Sequence, residues 1–166
     1  MINVEPFQHC VCQKMANVQS CCLHEHGFSE QGKKVKLTPK TGEELLAVVL
    51  DGCVFDDYLL KCDGLFLFAS PNRKAAILIE LKGAGDIPHA FEQLVFVRTH
   101  RPQYKALLSN LNQLPGPKAL EMAFIVSNGF LTKPQKEKLE NQHGIRVVAV
   151  LHCEAVSQVP DLRQYL

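Results

Sequence analysis

The sequence predicts a mixed α/β fold: a central sheet of mixed strand direction flanked by helices. Two observations lead there. Residues 61–82, KCDGLFLFASPNRKAAILIELK, read as two apolar strands joined by a turn at SPNRK, with Phe66–Phe68 and Ile77–Ile79 suited to extended backbone. Beyond them, apolar runs of strand length alternate with helical stretches punctuated by Pro, Gly and Thr.

In chain order, Thr41-Gly42-Glu43-Glu44 before LLAVVL predicts a helix, with Thr41 as N-cap and Glu44 completing a capping box, ended by Gly52. The hairpin follows. Neither of its faces is polar until the strand end, so it is expected centrally in a sheet covered on both sides. After GAGD, Pro88 suits the first turn of a helix, which Pro102 kinks or restarts; Tyr104, Leu107, Leu108 and Leu111 continue at helical spacing. ALEMAFIVS is a strand. Thr132 caps a polar helix that stops at Gly144, and IRVVAVLHC is the last strand.

At 166 residues with a formal net charge of +1, the chain fits one soluble domain with a real core. Its apolar runs are far short of the ~20 residues that span a bilayer, which predicts no membrane partner. MINVEPFQHC has no basic stretch followed by an apolar one, so a cytoplasmic chain is expected. The seven cysteines then read as reduced thiols or metal ligands. Residues 1–32 are polar and Cys/His-rich, and are expected as a flexible arm or a small metal site ahead of a domain at 33–166. Cys10, Cys12, Cys21, Cys22, His24 and His26 are the candidate ligands for a structural Zn²⁺. Lys33, Lys34, Lys36 and Lys40 form a basic run, either solvated or in contact with phosphates.

Charge at the hairpin end carries the functional reading. Asp63 opens the first strand, and Glu80 and Lys82 close the second. Residues two apart on a strand share a face, so Glu80 and Lys82 project together while Ile79 and Leu81 pack behind them. Two carboxylates on neighbouring strands make a hard oxygen site of the kind Mg²⁺ prefers, and a lysine beside them suits water activation and phosphate charge.

D-x16-E-x-K in this context, with Gln93 eleven residues past Lys82 on the following helix, resembles the PD-(D/E)xK nuclease superfamily, with the helical Gln of its RecB-like and Cas4-like branches. The resemblance covers roughly residues 41–152. It implies a restriction-endonuclease-like αβββαβ core and a Mg²⁺- or Mn²⁺-dependent nuclease acting on DNA, with RNA the lesser candidate. Asp63 and Glu80 would bind the metal, Lys82 would work on water and phosphate, and Gln93 would support the site. An acid on the first helix often joins such a set; Glu43 is the better candidate, because the cap already explains Glu44. The residue before Asp63 is Cys62, where the family motif has Pro. The short chain suggests a homodimer or a larger protein assembly. The alternative is a catalytically silent member of the fold that binds nucleic acid or a protein.

Overall fold

The computed structural model describes residues 1–14 and 21–166; residues 15–20 of the Cys/His-rich segment lie outside the described residues. A small antiparallel sheet comes first: β1 (Cys22–His24), β2 (Gly27–Glu30) and β3 (Lys33–Lys36). The main sheet has five strands in sequential order: β4 (Glu44–Val49), β5 (Gly64–Ser70), β6 (Arg73–Lys82), β7 (Leu120–Ser127) and β8 (Ala149–His152). The pairs β4–β5 and β5–β6 are antiparallel, while β6–β7 and β7–β8 are parallel. Helices α1 (Ile87–His100) and α2 (Pro102–Gln113) connect β6 to β7, and α3 (Lys133–His143) connects β7 to β8.

The hairpin thus occupies the second and third places of a mixed sheet, with both faces buried. Leu65, Leu67, Ala76 and Leu78 meet Phe91, Leu94 and Leu107 of the helices. On the opposite face Phe66, Phe68, Ile77 and Ile79 meet Phe28, Val35 and Leu37 of the small sheet, together with Leu162. Both faces of the hairpin are thus covered as expected, one by helices and the other by the small sheet and Leu162. Phe28 and Cys12 of the Cys/His-rich segment join Val35, Leu37 and Leu162 in this second cover.

The expected helix over residues 41–51 is instead strand β4. LLAVVL is too short for its apolar run to distinguish helix from strand, and Val48-Val49 favours extended backbone. A full ladder with β5, from Glu44 opposite Ala69 to Val49 opposite Gly64, decides the matter. Its capping signal serves a turn: the Lys40 amide donates to Glu43 Oε2 at 2.7 Å, and Gly42 takes a φ of 83°. Glu44 instead accepts from the Ile2 amide at 2.7 Å. The genuine capping box lies at Thr132, whose hydroxyl accepts from the Gln135 amide while Gln135 Oε1 accepts from the Thr132 amide.

Disulfides join Cys10 to Cys53 and Cys12 to Cys22; Cys21, Cys62 and Cys153 are free thiols. Three of the four cysteines expected at zinc are thereby in S–S bonds, and a thiolate, not a disulfide sulfur, is the metal ligand. The set Cys10, Cys12, Cys21, Cys22, His24 and His26 is not assembled in this state. His24 uses Nδ1 to accept from the His26 amide. Among the described residues, His9, Cys10 and Cys53 do bring donor atoms within 4.8 Å of one another, but the disulfide leaves only the histidine as an ordinary ligand. Disulfides persist in oxidising compartments, so these two bonds remove the reduced-thiol argument for a cytoplasmic chain. The segment is anchored as well: Ile2, Val4, Cys10, Cys12 and Phe28 are buried, and the boundary expected at residue 32 falls inside the β2–β3 turn. Among the described residues, no helix is long and apolar enough to cross a membrane.

Candidate metal centre

Asp63 sits just before β5 and opposite the end of β6. Its amide donates to the Ile79 carbonyl at 3.1 Å, and its Oδ2 accepts from the Leu81 amide at 2.7 Å. Because Gly64 pairs with Ile79, one step further along the ladder sets Asp63 across from Glu80, on the helix-covered face. Lys82 shares that face, with Nζ 3.5 Å from Glu80 Oε1. The expected convergence of Asp63, Glu80 and Lys82 is thus present. Gln93 of α1 joins them at one cavity of about 230 Å³.

Gln93 Nε2 donates to the Lys61 carbonyl at 2.9 Å, which fixes the sense of the amide; its Oε1 is buried without a hydrogen-bond partner. Glu80 is 3 % exposed, and its Oε2 is likewise buried and unpartnered. Burial pushes Glu80 well above the ordinary carboxylate range, and the neighbouring Asp63 charge adds to it. Burial raises Asp63 to about 7 despite the Leu81 amide, with the Glu30 charge contributing. Two carboxylates deprived of water in this way favour either a shared proton or a cation.

Glu43 does not belong here. Its carboxylate takes both guanidinium nitrogens of Arg163, Nη2 at 2.8 Å, and this bond holds it below the usual range. The helix that would have carried an acid to the site is strand β4, which begins opposite Ala69 and runs toward the site, so Glu43 lies at its distant end and Asp51 at its near one.

Sequence reasoning missed several lining residues: Glu30 and Gln31 from the β2–β3 turn, Asp51 after β4, and Asp86 before α1. Lys33, singled out as one of a basic run, also lines the cavity; it is 7 % exposed and donates from Nζ to the Gln31 carbonyl at 3.1 Å. Gly64 explains how this turn arrives. A Cβ there would fall 2.5 Å from the Phe28 ring, so only glycine lets β2 lie on β5 this closely. Phe28 also packs at a tilt against Phe66, with centroids 4.8 Å apart. A Gly directly after the strand-opening Asp was the sequence signal available for a close approach.

Five carboxylates (Glu30, Asp51, Asp63, Glu80 and Asp86) thus face Lys33 and Lys82, and Asp51 also pairs with Lys61 Nζ at 3.6 Å. The surplus is negative, the donors are hard oxygens, and two buried oxygens, Glu80 Oε2 and Gln93 Oε1, lack a hydrogen-bond partner. That donor set fits Mg²⁺ or Mn²⁺. A larger hollow of about 560 Å³ lies along Met1, Ile2, Val4 and Leu46, but its acids, Glu5 and Glu44, meet no lysine or buried unpartnered group there. No family model, curated protein or solved structure matches the chain.

Proposed function

We propose that this chain is a metal-dependent nuclease of restriction-endonuclease-like type that hydrolyses phosphodiester bonds in DNA, with RNA as the lesser candidate. One observation carries the reading. Asp63, Glu80 and Lys82 converge in a cavity where Glu80, almost fully buried, leaves an oxygen without any partner. A buried charge of that kind is costly unless it is paired or holds a metal.

Asp63 and Glu80 would hold Mg²⁺ or Mn²⁺, with Glu30 and Asp51 at the rim. When bound, a divalent ion supplies Lewis-acid polarisation of a phosphoryl oxygen and lowers the pKa of water. The chain's own groups do the rest. The Leu81 amide orients Asp63 by taking Oδ2, which leaves Oδ1 for the cavity. Lys82, tethered near Glu80, offers an ammonium to orient the attacking water and to balance charge on the phosphate. Gln93 ties α1 to the segment entering β5 through the Lys61 carbonyl. Its free Oε1 is an acceptor for water at the cavity wall.

The test is cleavage of single-stranded, duplex and branched DNA by purified protein. Cutting is expected with Mg²⁺ or Mn²⁺, none in chelator, and about 10²–10⁴-fold less in Lys82→Ala, which keeps both carboxylates. Glu80→Gln should instead raise the metal concentration needed. Undiminished cutting by Lys82→Ala overturns the role given to that residue. Metal-independent DNA binding with no cutting selects the silent-module reading.

A further inference from the structure

The row of residues that ends at Lys82 continues across the sheet. Lys82 pairs with Ser127, and Ser127 pairs with His152, both in parallel register. Paired residues on parallel strands point to the same face. His152 therefore stands on the metal-site face, two strand spacings or about 10 Å from Lys82. On its ring lies Phe130, with centroids 4.2 Å apart and planes within 7°. Phe130 is 80 % exposed, so one whole face of the phenyl ring meets solvent.

This stack is held in place. The Gly129 amide donates to Ser127 Oγ at 3.0 Å, Gly129 O lies 3.4 Å from His152 Nδ1, and His152 Nε2 lies 3.5 Å from Glu154. A Cβ at Gly129 would fall 2.8 Å from Ala84, so the loop bearing Phe130 packs directly against the turn that leaves Lys82. Two other phenylalanine–histidine contacts have ordinary explanations: Phe96 on His100 follows from i,i+4 spacing on α1, and Phe91, which meets His143 at 6.1 Å, is a buried core residue. Phe130 and His152 come from a loop and a strand with no such local reason to meet.

We propose that Phe130, backed by His152, is a stacking platform for a nucleobase of single-stranded nucleic acid beside the phosphate held at Lys82. The proposal rests on the nuclease reading for its class of substrate. An exposed, preoriented aromatic ring near a phosphate-directed cation is the arrangement by which proteins hold unpaired bases. A base within a duplex has no free face to offer it, so the platform selects unpaired segments, such as strand ends, gaps or flaps.

The experiment measures binding of a short single-stranded oligonucleotide carrying one 2-aminopurine, and of a blunt duplex of the same sequence, by fluorescence with Mg²⁺ present. Phosphorothioate linkages in both substrates suppress cutting, so Lys82 stays intact in all proteins. Phe130→Ala is expected to weaken single-strand binding about 5- to 100-fold and to abolish the 2-aminopurine quenching, leaving duplex binding unchanged. Phe130→Trp should restore both. Equal single-strand affinity with and without Phe130, or an equal loss for duplex, overturns the platform. Cleavage of the same substrates without phosphorothioate linkages is scored separately. Stacking without any cutting would remove the nuclease reading alone, and cutting that is indifferent to Phe130 would remove the platform alone.

Discussion

Arg101 and Glu80 are both buried charges, 2 % and 3 % exposed, and they are treated in opposite ways. Arg101 is completely satisfied. Its Nη1 and Nη2 reach Asp57 at 2.6 and 2.8 Å, Nε donates to the Leu60 carbonyl, Nη2 also donates to Leu59, and the guanidinium lies 4.3 Å from the Phe55 ring centroid. Glu80 has a single lysine at 3.5 Å, a second carboxylate, Asp63, beside it, and one oxygen without a hydrogen-bond partner. A charge that ties a loop to a helix gains by having every group matched. A charge that must take a cation has to be left short of partners. The incomplete pairing of Glu80 is therefore the observation on which its proposed metal role rests.

The largest expected effect falls on the satisfied side. Arg101→Ala leaves the Leu59 and Leu60 carbonyls without their donor and removes the contact on Phe55. A loss of about 3 kcal/mol in unfolding free energy is expected by urea titration. The loop over residues 56–62, which leads into Asp63, should loosen with it. A loss below about 1 kcal/mol would mean that the loop holds itself, and the contrast with Glu80 would lose one of its terms.

Next in size is the pH dependence of the metal-free protein. Asp63 is raised from its ordinary 3.8 to about 7. Between those values the folded state keeps a proton that the unfolded chain releases, so stability is full below about pH 4 and is lost as pH rises through 7. Unfolding in chelator should show about 2 kcal/mol less stability at pH 8 than at pH 5. Asp63→Asn should shrink the slope without removing it, because burial raises Glu80 as well, and saturating Mg²⁺ should shrink it too. Asp57 has the opposite sign. Its bond to Arg101 lowers it to about 2, so its contribution is present above pH 4 and disappears only as pH falls toward 2. A flat profile between pH 5 and 8 for the wild-type chain in chelator would contradict the strain assigned to the Asp63–Glu80 pair.

The same contrast explains what the sequence could reveal. Asp63, Glu80 and Lys82 were legible because strand period and hairpin pairing are local, and they fix which side chains share a face, whereas Gln93 on α1 was named only through the family resemblance. Thr132 and Gly144 were legible because helix caps are local signals too. Residues 41–50 were not, because a capping box and a short apolar run fit a helix as well as a turn and a strand. Only the β5 ladder chooses between them. Glu30 and Lys33 were out of reach in a different way. Their approach to the site depends on Phe28 seating on Gly64, thirty-six positions away, and on disulfides whose pairing no spacing dictates.

The smallest expected effect separates the acid the sequence favoured from the one the fold supplies. Glu43 was expected at the metal, yet it is locked to Arg163, while Glu30 stands at the mouth of the cavity and its charge bears on Asp63. Glu30 is exposed, so water screens it and its interaction with a cation is worth no more than about 0.2–1 kcal/mol. Glu30→Gln should therefore raise the Mg²⁺ concentration for half-maximal cutting about two- to fivefold, with the rate at saturating metal nearly unchanged. The shift should shrink at high salt, because screening acts on exposed charge far more than on buried charge. Glu43→Gln should leave the metal requirement where it was and cost stability instead, since it strips Arg163 of its partner. If the two substitutions exchange these effects, the turn between β2 and β3 is only a cover for the sheet, and the site is confined to the hairpin and α1.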